Sequence, residues 1–446
     1  MPTTGRLSNR AVCNTLIAYA ITAIIVMLAF TQQGQPSEMM SLLRIVIGVL
    51  LLPVLIKFLI QLAVSPFSGV VDWLRTRRFP VQSTPSVTVL IPAWNEEVGI
   101  IRTIESVLAT HYPGLEVIVI NDGSTDNTHS LITDFLAGQP ASGEARVRYL
   151  PLENGGKANA LNQALPLASG EIIITIDADS LMHPKAIENL VRPFADPEVA
   201  AAAGNVAIGN RYAGLGLIQQ LEYLCGFFMK RADSVFNAVY IIGGAAAAYR
   251  TDILRQEGGF DHSIITEDIE LSTRLLARGY KCRYAPNAII YTEGPSDLKG
   301  LCNQRLRWKY GRFQTFYKHR SLFFNSSQSR NRYLSWLLLP TALYAEILLF
   351  LELPLLTAFF AYVAITGDYL SLGLAICLIS LLISFQASYD YQPRYHQRLL
   401  LFAPVAWLIW YLVDAVEFQA LIRSIKRLIR NEELKWQTWV RKGIDG

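Results

Sequence analysis

Apolar positions in this chain gather toward both ends and leave a more polar middle. Residues 12–30 carry no charged side chain and follow Arg6 and Arg10. That length crosses a hydrocarbon core, and no small-residue cleavage site marks it as a removable signal. The connector 31–41 holds no Lys or Arg. A second apolar run, 42–64, has Arg44 near its start and Lys57 near its end, and Arg75, Arg77 and Arg78 follow. Lys57 can snorkel to an interface. Basic residues on both outer flanks, with none between, predict that both flanks are cytoplasmic. Past residue 333 the chain turns apolar again over 336–365, 370–388 and 399–422. Glu346 and Glu352 lie within the first of these runs; carboxylates there face a protein interior or a wet channel, or pair between helices. The last run holds Pro404, Asp414 and Glu417 and reads as bent or partly interfacial. Three full crossings would leave the tail outside. Yet Arg423, Lys426, Arg427, Arg430, Lys435, Arg441 and Lys442 give it a cytoplasmic pattern. Either one run fails to cross or the charge rule gives way.

Between these ends the pattern is that of an α/β domain. Strands are predicted over 87–91, closed by Pro92, and over 116–120, 146–150 and 172–176. Helical spacing covers 97–111, 125–136 with Ser124 or Thr125 as N-cap, and 156–168 interrupted at Pro166. Residues 139–144 read as a loop. Strands alternating with helices imply a parallel, doubly wound sheet, which becomes mixed after Pro184. A helix over 269–278 is closed by Gly279, with Thr266 as its N-cap. The boundaries expected are two spans in 1–71, a domain over 72–311, interfacial helices over 312–335, a membrane bundle over 336–422 and a basic amphipathic tail over 423–446.

The candidate chemistry sits at strand ends. Four isoleucines and a threonine, 172–176, read as a strand buried on both faces, and it runs straight into Asp177 and Asp179. Carboxylates beyond the carboxyl end of a central strand lie where open α/β sheets bind ligands, and two of them suit Mg²⁺ or Mn²⁺ with a diphosphate. An acidic turn alone would explain the same residues. Asp122 ends another strand and is expected in the same crevice. Gly243 and Gly244 belong to a run of small residues that lets backbone approach a ligand, or simply packs tightly. Glu267 and Asp268 fall on the first turn of a helix, where the macrodipole favours negative charge. Gln304, Arg307 and Trp308 lie on a basic, aromatic helix that would also suit an anionic lipid surface.

With 446 residues, two structural units are a fair expectation. A net charge of +4 gives no case for nucleic acid, while 52% hydrophobic content points to a membrane. Five scattered cysteines without a Cys-x-x-Cys pair signal neither zinc nor a disulfide framework.

Taken in order, Pro92-Ala93-Trp94-Asn95-Glu96, Asn121-Asp122-Gly123-Ser124, Gly156-Lys157-Ala158-Asn159, Asp177-Ala178-Asp179, Thr266-Glu267-Asp268 and Gln304-x-x-Arg307-Trp308 resemble the family-2 glycosyltransferases. The resemblance is to their processive membrane synthases of cellulose, chitin, hyaluronan and poly-β-1,6-N-acetylglucosamine. It implies a cytosolic GT-A-type, Rossmann-like domain between transmembrane helices, in a multi-pass protein of the inner (plasma) membrane. It implies Trp94 near the nucleotide base, Glu96 and Lys157 near the nucleotide sugar, and Asp122 on the uracil edge. Asn121 departs from the family's usual Asp at the first position. Asp177 and Asp179 would hold ribose and metal, and Arg307 the pyrophosphate. Gly243, Gly244, Gln304 and Trp308 would meet the acceptor. Asp268 would be the general base, with Glu267 as its rival. The expected activity is processive, inverting transfer from a UDP-sugar donor, best read as UDP-N-acetylglucosamine, to a growing polysaccharide that is extruded through the lipid bilayer. A small membrane partner subunit is usual in that branch. A cellulose-, hyaluronan- or chitin-type synthase, or a polyprenyl-phosphate transferase, remains the alternative.

Overall fold

The structure is a computed structural model that describes residues 38–81, 83–138, 146–210, 214–325, 331–367, 369–432, 434 and 441–444, with Ala20, Ile24 and Met27 as isolated positions. The expected first span and the loop at 139–144 lie outside the described residues, those three positions apart.

The second apolar run forms α1 (Glu38–Val64), joined by a short turn to α2 (Ser68–Arg78). The α/β domain follows: β1 (Val87–Ala93), α3 (Ile100–Leu108), β2 (Leu115–Asp122), α4 (Thr128–Ala137), β3 (Arg146–Leu152), α5 (Lys157–Ala164) and β4 (Ile172–Thr175). These strands pair in parallel, Val87 opposite both Leu115 and Ile172. The chain continues through β5 (Ser180–Met182), α6 (Ala186–Val191), β6 (Val199–Ile208), α7 (Gly214–Val235), β7 (Ala247–Arg250), α8 (Thr251–Gln256), α9 (Glu267–Ala277) and β8 (Lys281–Thr292). The sheet has the order β3-β2-β1-β4-β7-β6-β8-β5, with β7 antiparallel to both neighbours. It is mixed beyond β4, as the loosened pattern after Pro184 implies. β1 through β3 run outward one way and β4 lies on the other side, so the strand order reverses between β1 and β4. Open α/β sheets hold their ligand crevice at such a reversal.

Both faces of the sheet are covered. Leu90, Ile118, Ile120 and Ile173 enter one core, while Val89, Ile91, Val117, Val119, Ile172 and Ile174 enter the other. Alternate side chains of one strand therefore feed opposite layers, which is why these strands read as unbroken apolar runs.

Three local expectations are corrected. β1 runs through Pro92 instead of stopping there. The last β1 group that β4 uses is the Leu90 carbonyl, which accepts the Ile176 N–H at 3.1 Å. Pro92 faces the same side beyond that point, where no N–H is needed. Neither Ser124 nor Thr125 caps α4, which begins at Thr128. Ser124 Oγ instead accepts the Asn95 N–H, and Thr125 N–H donates to Asn95 Oδ1, clasping the ends of β1 and β2 together. Thr266 holds the N-cap position of α9, but its side chain makes no capping hydrogen bond.

After the sheet, α10 (Leu298–Lys318) runs unbroken across position 311. The apolar end then forms α11 (Leu339–Thr366), α12 (Tyr369–Tyr389), α13 (Gln397–Phe402) and α14 (Ala406–Arg430), with a short turn at Pro404 bending the last pair. Among the described residues four helical stretches are long and apolar enough to cross a membrane: Ile45–Arg78, Leu334–Ile365, Leu372–Tyr389 and Pro393–Arg430. Glu346 is not left facing a channel. It accepts from Lys309 Nζ and, at 2.9 Å, from Arg312, both on α10.

Gly170, just before β4, tests how tightly the sheet is drawn together. A Cβ there would stand 2.4 Å from the Thr88 backbone nitrogen of β1. Gly170→Ala should cost about 1–3 kcal/mol, read as a thermal midpoint several degrees lower in detergent. Gly48→Ala, in open space, should not lower it.

Candidate functional site

The crevice at the strand reversal is lined by polar groups from segments far apart in the chain. β2 delivers Asp122, whose carboxylate accepts the N–H groups of Gly155 and Gly156 at 2.8 and 2.9 Å. Burial raises its pKa and these two donors oppose the rise. Gly123 must stay glycine: its φ is +67°, and a Cβ would meet the Asn154 nitrogen at 2.6 Å. Asn121 has a turn-building role, accepting the Ser124 N–H and donating to Tyr149.

Gly156, at φ +87°, turns the chain into α5 and sets Lys157 on its first turn. Lys157 Nζ lies 2.5 Å from Asp177 Oδ1 and 3.5 Å from Glu267 Oε1. Burial works against its charge, but Asp177, Glu267 and Asp268 outweigh burial and hold its pKa up. Gly244 makes this approach possible, because a Cβ there would sit 2.6 Å from Lys157 Nζ. The same glycine donates its N–H to Asp268 Oδ2 at 2.8 Å, while Asp268 Oδ1 takes the Ile269 N–H. Burial raises Asp268, and raises Glu267 to about 7 with Lys157 opposing. Strand-end and helix-start acids thus share one cation. Gly243, just before Gly244 in the chain, has nothing within 4 Å of its Cβ position.

Asp179 points to the other side of the crevice. Its Oδ1 accepts from the Ser180 and Thr292 hydroxyls, and its Oδ2 accepts Arg441 Nη1 at 2.5 Å. Glu96 Oε1 takes Arg441 Nη2, also at 2.5 Å. Burial lifts Glu96 to about 8, against the pull of Arg441. Trp94, just past β1, is half-buried.

α10 covers this region. Gln304 and Arg307 are buried. Burial lowers Arg307 to about 10, with Asp177 and Glu267 opposing. The helix can lie this close to α9 because position 311 is glycine: a Cβ there would collide with Thr266 Oγ1 at 2.2 Å. Trp308 is half-buried, with the Arg305 guanidinium 4.3 Å over its ring.

The donor set fits a small divalent ion that also takes substrate oxygens. Asp177 and Asp179 flank the crevice, and Glu96 Oε2 is buried with no hydrogen-bond partner among the described residues. No cluster of three or more His, Cys, Asp or Glu suited to a metal occurs among the described residues. Mg²⁺ and Mn²⁺ are commonly held by one or two carboxylates plus phosphate oxygens, so a closed protein cage is not required. Sequence reasoning missed Arg441 and Gly311. A single arginine in a basic tail carries no local signal of a contact 262 residues away.

The family model for glycosyltransferase like family 2 matches residues 85–311. Poly-beta-1,6-N-acetyl-D-glucosamine synthase of Staphylococcus epidermidis is 35% identical over 234 residues, 52% of this chain and 55% of that protein. The enzyme of the same name from Staphylococcus aureus is 36% identical over 241 residues, again 52% and 55%. The chain thus spans about half the length of the curated relatives it matches. Among solved structures, a mannosyltransferase from Pyrobaculum calidifontis in complex with GDP-Man and Mn²⁺ aligns with TM-score 0.55. The identity is 22%, over 84% of this chain and 100% of that one, a likeness of fold.

Removing the shared cation should expose its work. Lys157→Met should lower the thermal midpoint by several degrees at pH 8, because it leaves buried Glu267 without its cation. Glu267 keeps its proton more tightly folded than unfolded, so its ionisation weakens the fold as pH rises toward about 7. Without Lys157 that penalty grows, and the gap between variant and wild type should widen from pH 5 to pH 8 in thermal melts.

Proposed function

Because the chain belongs to glycosyltransferase like family 2, we propose that it is a processive, inverting β-glycosyltransferase that polymerises a UDP-sugar into an exopolysaccharide and passes it across the inner membrane. UDP-N-acetylglucosamine is the proposed donor, supported by the names of the curated relatives. One observation carries the reading: Lys157 bridges Asp177 to Glu267, beside Asp268 on its Gly244 N–H. Acids distant in sequence thus meet where a diphosphate and an incoming hydroxyl would need them.

In this reading Asp268 takes the proton of the acceptor hydroxyl as its oxygen bonds to the anomeric carbon. The bond from that carbon to the diphosphate oxygen breaks, and UDP leaves with the electron pair. A single base without a carboxylate nucleophile gives one displacement, hence a β-linked product from an α-linked donor. Burial raises the pKa of Asp268, the direction a proton-accepting base needs. Mg²⁺ or Mn²⁺, held by Asp177 and Asp179, would supply positive charge against the departing diphosphate. Lys157 and Arg307 bring protein cations to the same charge, and Trp94 offers a face to the base. Gln304 and Trp308 are assigned to the acceptor, as are Gly244 and Gly243, the latter with open space where a side chain would stand.

The membrane side is proposed as multi-pass with the sheet domain cytoplasmic. Arg441 rests on Asp179 and Glu96, which supports an even number of crossings between Lys318 and Arg441. In this reading the last apolar run, 399–422, does not complete a crossing, supported by the hydrogen bonds of Gln419 and Arg423 on α14 to Cys302 and Asn303 on α10. A small membrane partner subunit is included in the proposal on the resemblance alone.

The test is purified full-length protein in nanodiscs, incubated with a panel of UDP-sugars and followed by linkage analysis. A β-linked N-acetylglucosamine polymer is expected. A lipid-linked product one sugar long would overturn processivity. Asp268→Asn should lower UDP release by about 10²–10⁴-fold while Mn²⁺–UDP binding persists; wild-type turnover in that variant would remove Asp268 from its role.

A further inference from the structure

Residues 441–444 are fastened to the sheet domain at four places. Arg441 spans Asp179 and Glu96 with its two terminal nitrogens, each at 2.5 Å. The Lys442 N–H donates to Glu293 Oε1 at 2.7 Å. Arg102 Nη1 on α3 donates to the Ile444 carbonyl at 2.5 Å. The Ile444 side chain packs where a Cβ on Gly209 would stand 2.4 Å from its Cγ2. Gly443, at φ +81°, makes the turn between these contacts. A basic tail lying on anionic lipid would keep its guanidinium among headgroups. This one is only 17% exposed and is aimed into the acidic crevice.

We propose that the Arg441 guanidinium and the divalent cation are alternative occupants of the Asp179 carboxylate, so that the tail closes the crevice until metal and nucleotide displace it. This rests on the reading that Asp177 and Asp179 take the metal. The Asp179 oxygens leave little choice: Oδ1 already accepts from Ser180 and Thr292, and Oδ2 accepts Arg441. A divalent ion binds a carboxylate oxygen at about 2.0–2.2 Å, inside the space the guanidinium fills and beside its like charge. Both cannot stay. Arginine does not lose its proton in proteins, so a competing cation is needed to release it. The Glu293, Arg102 and Gly209 contacts fix where the arm returns, which makes the closure a built docking position instead of a stray ion pair.

The experiment is an electron paramagnetic resonance titration of Mn²⁺ into full-length protein in nanodiscs, without nucleotide. Arg441→Gln should bind Mn²⁺ at least tenfold more tightly than wild type. Arg102→Ala, which loosens the arm away from the crevice, should shift binding the same way by a smaller factor. Trypsin cleavage after Arg441 in the wild type should quicken when Mn²⁺ and UDP are added, a response that a simple change of local charge would not produce. Unchanged or weaker Mn²⁺ binding in Arg441→Gln, or cleavage indifferent to Mn²⁺ and UDP, would overturn the closure and leave the metal reading standing. No Mn²⁺ binding by either protein would remove the metal reading and the closure with it.

Discussion

The crevice depends on one ammonium group. Glu267 is buried, Asp268 is half-buried, and Asp177 stands beside them; three carboxylates this close would repel and take up protons without a counter-charge. Lys157 supplies it, and its position follows from glycines on either side. Gly156 turns the chain so that α5 starts at the crevice, and Gly244 leaves the hollow that the side chain enters. The cluster is therefore a constraint on backbone shape as much as on charge. It joins β4, α5, α9 and the turn before β7 into one unit.

Around that unit the fold acts as a frame. The apolar strands bury both faces and hold the reversal between β1 and β4 open at their carboxyl ends. The Asn95, Asn121 and Ser124 clasp keeps the first two strand ends together. The closeness of α10 to α9, set by the missing side chain at 311, brings Arg307 toward the acids that start α9. Each of these devices orders a loop that would otherwise have to find its place only after a ligand arrived.

Much of this was legible in the chain. The isoleucine run ending in Asp177 and Asp179 gave a doubly buried strand, and the loosened pattern after Pro184 gave a mixed sheet. Helix starts were read less well. Ser124 and Thr125 have the chemistry of caps, but their hydrogen bonds go across to Asn95, a partner that no local window contains. Pro92 escapes a local rule for a similar reason, since its tolerance depends on where a neighbouring strand stops. Arg441 was opaque because charge counting treats a basic tail as one statistical object. A single guanidinium that leaves the group to meet Asp179 and Glu96 has no signature in sequence.

Behind the crevice, where α10 meets the apolar helices, three cations and three carboxylates interlock. Arg305 pairs with Glu222 and Glu417, Lys309 with Glu346 and Glu417, and Arg312 with Glu346. The positive and negative charges balance. Such a balanced knot between a soluble layer and an oily one resists piecemeal revision, because losing any one member strands an opposite charge away from water. Sequence drift through this seam would have to proceed by compensating exchanges. The seam is thereby held by a closed set of charges in which Arg305, Lys309, Glu346 and Glu417 each answer two partners.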